Sequence, residues 1–201
     1  KLYKAVLRSD EWLIFEFSDS THLVVLFSRS VDKCFVPSDV LNQAAQQRGL
    51  VPSQIVQYGL PIRKGFWSTE ESTTAKAIPI DEATKKEMRK ELGVDVDLPT
   101  VLVVGGGDGM GGIESISKEL GNRLGRSGTK PTSQMVVVCG NNKVACNNLG
   151  NVNWGKGVKV YVKGFVNNMD EWMKASDALV TKAGPGTIAE ASICGLPCML
   201  F

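Results

Sequence analysis

Near the end of the chain, the stretch KAGPGTIAEASICGLP (residues 182–197) sets a glycine-proline-glycine turn ahead of a segment that opens on Thr187 and carries a carboxylate at Glu190. Gly184 and Gly186 remove side chains that would keep a phosphate away from backbone N–H groups. A helix starting there directs the positive end of its dipole to the same place. A glutamate one turn in then accepts hydrogen bonds from ribose hydroxyls. A capping box explains the same residues with no ligand. In that reading the Thr187 side chain accepts from the Glu190 N–H while Glu190 reaches back to the Thr187 N–H. The two readings compete for one carboxylate and both stay open at this point.

A second glycine stretch, TVLVVGGGDGMGGIESISKEL (residues 100–120), also follows an apolar run and precedes an amphipathic one. Gly105, Gly106, Gly107, Gly109, Gly111 and Gly112 put six glycines in eight positions, more than a tight strand-to-helix turn requires. Gly107 to Gly112, with Asp108 and Met110 between the glycines, satisfies G-x-G-x-x-G. A dinucleotide site also calls for an acid about 20 residues on, at the end of the next strand. Here that strand ends in Cys139-Gly140-Asn141, without an acid. No Lys-Ser or Lys-Thr follows the glycines, which excludes a P-loop. Two such turns, each at the end of a strand, favour a nucleotide lying across a sheet edge.

The elements that must hold these turns follow from the pattern. From Asp32 onward, short β-branched runs alternate with amphipathic segments, the order of an α/β fold with a parallel sheet covered by helices. Strands are expected at 34–36, 55–58, 101–104, 135–139, 158–162, 178–181 and 198–201, and helices at 39–48, 81–92, 112–124, 142–149, 169–175 and 187–194. Ser38 or Asp39 caps the first helix, and Gly49, Gly93 and Gly195 stand where helices should stop. Pro61 to Pro79 lacks periodicity and reads as a linker or crossover that divides the chain. Residues 1–30 read as one or two strands. Phe201 falls inside a strand, so the sequence is expected to be a piece of a longer chain whose cleft is built only in part.

Composition bounds the rest. With 201 residues and 43% hydrophobic content the chain fills one large domain or two small ones. The 23 basic and 21 acidic residues nearly cancel, and the dense cluster Lys85-Lys86-Glu87-Met88-Arg89-Lys90-Glu91 alternates in sign, so nucleic acid is not an expected partner. Five cysteines form no CxxC pair and His22 is the single histidine, which argues against a zinc site and for reduced, mostly buried thiols. The aliphatic run Leu23 to Phe27 is far shorter than the ~20 residues of a membrane-spanning helix. The chain opens on Lys1, so a targeting segment could precede it.

The segments VDKCFVPSDV, QYGLPIRKGF, LPTVLVVGGGDGMGG, VKGFVNNMDEWM and DALVTKAGPGTIAEASICGLP together resemble the plastid monogalactosyldiacylglycerol synthases of glycosyltransferase family 28. The resemblance runs from about Val31 to Phe201. It implies a GT-B fold of two Rossmann-like domains, present in part. Residues 1–60 would be a remnant of the N-terminal, acceptor-side domain, 61–95 an interdomain linker and helix, and 96–201 the C-terminal UDP-sugar-binding domain, cut short. The implied activity is inverting transfer of galactose from UDP-galactose to 1,2-diacylglycerol, with no metal and no cofactor beyond the donor substrate. It implies peripheral association with lipid of the plastid envelope. A non-catalytic nucleotide-binding module and a related lipid-acceptor glycosyltransferase are the alternatives.

Carried over to this sequence, the resemblance implies that Phe165 and Val166 read the uracil edge and that Glu190 holds the ribose. Gly184, Pro185, Gly186 and Thr187 would face the diphosphate, as would the loop of Gly106, Gly107, Asp108, Gly109, Met110 and Gly111. Arg63 would reach the phosphates from the interdomain connection. The plant enzymes usually carry Glu where this chain has Asp108. Met169 and Trp172 either wall the base or pack in the core, and Lys182 either senses phosphate or is a rim charge. The family's general base is thought to be a histidine in an N-terminal glycine-rich loop. His22, in STHLVVLF, does not match that loop, so no catalytic residue is assigned.

Overall fold

The computed structural model describes residues 3–8, 11–16, 31–60, 62–67, 80–105, 112–126 and 129–201, with side chains from Val31 onward. The chain divides into two compact units, Lys1–Ile62 and Arg63–Phe201. Every strand and helix expected from residue 34 on is present, with ends moved by at most two residues.

In the first unit, strands β1 (Tyr3–Arg8), β2 (Glu11–Glu16), β3 (Lys33–Val36) and β4 (Ile55–Gln57) form a sheet ordered β2-β1-β3-β4. β1 runs antiparallel to β2 and β3, while β3 and β4 are parallel. Helix α1 (Asp39–Gln47) makes that parallel crossover. Ser38 caps α1 by accepting from the Leu41 N–H, and Gly49 ends it with a positive φ. Val31, Cys34, Val36, Ala45 and Leu50 are its buried core.

The second unit holds a wholly parallel sheet ordered β7-β6-β5-β8-β9, built from β5 (Thr100–Val104), β6 (Ser133–Val138), β7 (Val158–Lys163), β8 (Ala178–Thr181) and β9 (Cys198–Leu200). Runs such as TVLVV and SQMVVV are apolar without alternation because the central strands are covered on both faces. Helices α2 (Glu82–Glu91), α3 (Ile113–Leu124), α4 (Lys143–Gly150), α5 (Met169–Lys174) and α6 (Pro185–Ile193) supply the cover. Leu102, Val103, Met135, Val136, Val137, Leu149 and Leu179 are fully buried.

Strand order fixes where a ligand fits. From β5 the chain passes through α3 to β6 on one side, whereas β8 lies against β5 on the other. Connections from β5 and β8 therefore depart in opposite directions and leave a crevice at their C-terminal ends, the switch point at which open parallel sheets bind ligands. Both glycine turns of the sequence leave from these two strands.

At the opposite end of the sheet α2 is bolted on by a buried arginine. Arg89 is 2% exposed; its Nε donates to the Ala175 carbonyl at 2.9 Å and its Nη2 to Asp177 at 2.7 Å. Asp177 also accepts from Lys85 Nζ and from the Thr100 N–H, both at 2.8 Å. One carboxylate thus joins α2 to the starts of β5 and β8.

Candidate functional site

At the switch point Val104 of β5 faces Thr181 of β8 in register, and the Thr181 hydroxyl donates to the Val104 carbonyl at 3.2 Å. This bond holds the two strand ends together where both turns begin. After β5, Gly105 donates its N–H to the Val138 carbonyl. Gly106, Gly107, Asp108, Gly109, Met110 and Gly111 lie outside the described residues, as does His22.

After β8 the chain turns through Lys182-Ala183-Gly184 into α6, and here the structure corrects the sequence reading. The helix starts at Pro185, not Thr187, with Gly184 as its N-cap and no side-chain cap. Proline suits this first position because it has no N–H to satisfy and its fixed φ is already helical. Thr187 is therefore the third residue inside the helix, and Glu190 lies mid-helix, so the capping box does not form. The Gly186 and Thr187 N–H groups are left without a side-chain cap, and a Cβ at Gly186 would meet only open space. Thr187→Ala should consequently change unfolding free energy by less than about 0.5 kcal/mol, as an ordinary surface substitution does, rather than the ~1 kcal/mol of a lost cap. Urea unfolding of the two proteins measures the difference.

The carboxylate freed from capping has another partner. Glu190 is 5% exposed and sits in a two-pronged ion pair with Arg63: Nε donates to Oε1 at 2.6 Å and Nη2 donates to Oε2. A nearly buried carboxylate needs such a partner. Arg63 is itself fixed. It precedes a single 3-10 turn, Lys64–Phe66, whose Phe66 is buried and whose ring lies 5.3 Å from the guanidinium carbon. Gly65 is pressed onto the start of α5, where a Cβ would come within 2.5 Å of the Asp170 carboxyl carbon, and Lys174 Nζ donates to the Gly65 carbonyl at 3.2 Å. Two residues assigned separate ligand roles, 127 positions apart, are thus in direct contact.

Phe165 and Val166 follow the end of β7, at the far edge of the sheet from α6. Phe165 is 71% exposed and Val166 half-buried. Their loop runs beside the one after β6, where the Cys139 N–H donates to the Lys163 carbonyl at 2.9 Å. β6 and β5 stand between β7 and β8, so this pair is three strand spacings, roughly 14 Å, from β8. Met169 and Trp172 are 7% and 4% exposed. They belong to the core, and Trp172 presents its ring to Lys163 Nζ at 5.6 Å.

Among the described residues no group of three or more His, Cys, Asp or Glu side chains could hold a metal ion. None of the five cysteines forms a disulfide. Burial pushes the Cys139 and Cys194 thiols up to about 11, which leaves them protonated and inert at neutral pH. No helix among the described residues is long and apolar enough to cross a membrane.

The Arg63–Glu190 pair and the Gly65 seat escaped the sequence reading. The signal available was Gly65-Phe66 directly after Arg63-Lys64, a small residue and an aromatic one that could seat an arginine.

Comparison with known proteins gives this edge a context. The chain is 45% identical over 175 residues to the chloroplastic monogalactosyldiacylglycerol synthase of Spinacia oleracea, covering 87% of this chain and 31% of that protein. It is 43% identical over the same length to monogalactosyldiacylglycerol synthase 3 of Arabidopsis thaliana, covering 35% of that protein. The chain thus spans about a third of the relatives it matches. Among solved structures it is similar to Anabaena Alr3699/HepE in complex with UDP and glucose, with 17% identity, 85% of this chain and 44% of that one covered, and a TM-score of 0.46. Residues 100–201, from the first residue of β5 through the α6 turn to Phe201, match the glycosyltransferase family 28 C-terminal domain. This chain, 45% identical to a plant monogalactosyldiacylglycerol synthase and matching that domain from β5 to Phe201, belongs to glycosyltransferase family 28.

Proposed function

We propose that this chain is the donor-binding part of a galactosyltransferase that moves galactose from UDP-galactose to the free hydroxyl of diacylglycerol, forming monogalactosyldiacylglycerol with inversion. The observation that carries the proposal is the arrangement at the switch point. The uncapped N-terminus of α6 faces the C-terminal sheet edge, and the Glu190 carboxylate stands one turn behind it. Anions are favoured at such a helix start. The names of the relatives just described, plant monogalactosyldiacylglycerol synthases, support the choice of sugar and lipid, and their description as chloroplastic supports a plastid location; the envelope membrane is added by the family resemblance.

In this reading the diphosphate lies against Gly184, Pro185, Gly186 and Thr187 and the loop of residues 106–111. Arg63 adds positive charge, and Glu190 accepts from the ribose. The exposed Phe165 ring and the Val166 backbone receive uracil. Residues 61–95 link this donor domain to an acceptor-side domain of which residues 1–60 are part. The general base that deprotonates the lipid hydroxyl is not assigned to any residue of this chain.

A chimera tests this directly: residues 31–201 replace the matching segment of the spinach relative, and radiolabelled galactose is followed from UDP-galactose into diacylglycerol. The expected result is labelled galactolipid, reduced on introducing Glu190→Gln. A folded chimera that labels no lipid while the spinach protein does would refute the assignment.

A further inference from the structure

The resemblance assigns Arg63 to phosphate, yet in the structure its guanidinium is committed to another residue. We infer that Arg63 is the positioning residue for Glu190, fixing the carboxylate so that its remaining lone pairs meet the two vicinal hydroxyls of a ribose. This inference rests on the nucleotide reading above and adds to it a division of labour that phosphate contact alone does not require.

The geometry carries the argument. The Glu190 side chain is 7% exposed, whereas that of Arg63 is 53% exposed. The glutamate is the buried member and the arginine reaches in from outside. A carboxylate offers about four lone-pair positions, and the planar fork of Nε and Nη2 takes one on each oxygen. One position per oxygen stays open, the number a cis-diol uses. The fork also fixes the carboxylate plane, which a single hydrogen bond would leave free to rotate. The pair engages two of the five guanidinium N–H groups, Nε–H and one on Nη2.

The seat beneath Arg63 fits a positioning role. Gly65 allows the turn to approach Asp170 closely, Lys174 ties the Gly65 carbonyl, and the Phe66 ring stacks behind the guanidinium. A purely mobile phosphate-seeking arginine would need none of these. Lysine cannot substitute, because an ammonium is a point charge without the fork.

Uridine, which has no phosphate, separates the two roles. Its affinity for the 201-residue chain is measured by titration followed through the uridine resonances, for the parent, Arg63→Gln, Arg63→Lys, Glu190→Gln and the Arg63→Gln/Glu190→Gln pair. Positioning predicts that Arg63→Gln weakens uridine by about tenfold, as Glu190→Gln does, and that the double variant is no weaker than either, since both remove one unit. Arg63→Lys should restore the thermal midpoint without restoring uridine affinity. Unchanged uridine binding in Arg63→Gln, with UDP alone weakened, would overturn the inference and leave Arg63 a phosphate ligand. If the parent binds neither uridine nor UDP, the nucleotide reading itself fails. The thermal midpoints then decide the pairing alone: a loss in Arg63→Gln that is relieved in the double variant, where no buried charge is left unpaired, supports it, and an equal loss in the double variant overturns it.

Discussion

Arg89→Met is expected to destabilise the chain by about 3 kcal/mol, the lower end of the cost of breaking a buried charge pair, because Arg89 is buried but the Asp177 side chain is 34% exposed and water can take up part of its loss. Methionine fills the space of the aliphatic stem but satisfies none of its acceptors. It leaves the Ala175 carbonyl and one side of Asp177 without a donor, and the Val96 carbonyl loses its 3.2 Å contact with Nη1. The loss should appear as a lower midpoint in urea at unchanged slope, since the same surface is exposed on unfolding. Nucleotide affinity of the folded fraction should not change, because Arg89 acts at the N-terminal end of the sheet and the proposed site is at the other.

The same network sets a pH dependence. Burial by itself would raise the Asp177 carboxyl, but Lys85, the Thr100 N–H and Arg89 outweigh it and hold the group below its ordinary value. A carboxyl whose folded value is depressed stabilises the fold fully above its unfolded value of ~3.9, and that stability is lost as pH falls through the folded value. The urea midpoint should therefore drop on acidification below about pH 4, and drop less steeply in Arg89→Met, where one of the lowering causes is gone.

The second large effect concerns the site. Glu190→Gln should reduce UDP affinity by roughly tenfold or more, because it exchanges a charged acceptor for a neutral one, and hydrogen bonds to charged groups contribute ~1.5–3 kcal/mol. Stability should respond little. The amide keeps the shape of the side chain and still accepts from one guanidinium N–H, and the arginine it releases is half-exposed and can turn to water. Uridine should weaken in parallel with UDP, since the contact proposed for Glu190 is to the ribose that both share. With the capping box excluded by the helix start at Pro185, a fall in affinity cannot be ascribed to an unravelled helix end.

How much of this could be read from the sequence differs by element. Strands such as TVLVV and SQMVVV announce themselves because both faces are buried, and their continuous apolar runs have no competing reading once glycines bound them. The helix stops at Gly49, Gly93 and Gly195 were legible because positive φ there selects glycine. The start of α6 was misread because Thr-x-x-Glu has the form of a capping box, while Pro185, favoured at a first helical position, outcompetes it. Met169 and Trp172 had two readings that spacing alone cannot separate, and burial decided for the core. The Arg63–Glu190 pair was illegible for a different reason. It joins residues 127 positions apart through a turn with no periodicity, and only the path of the chain brings them together.

The central claim, that the C-terminal edge of the five-stranded sheet holds a uridine diphosphate rather than a dinucleotide, is tested most directly by calorimetric titration of the folded chain with UDP and with NAD. The account predicts tighter binding of UDP, abolished in large part by Glu190→Gln, and weaker or no binding of NAD, because the strand after the first glycine turn ends in Cys139-Gly140-Asn141 with no acid to hold an adenosine ribose. Tighter binding of NAD than of UDP, or UDP binding indifferent to Glu190→Gln, would contradict it.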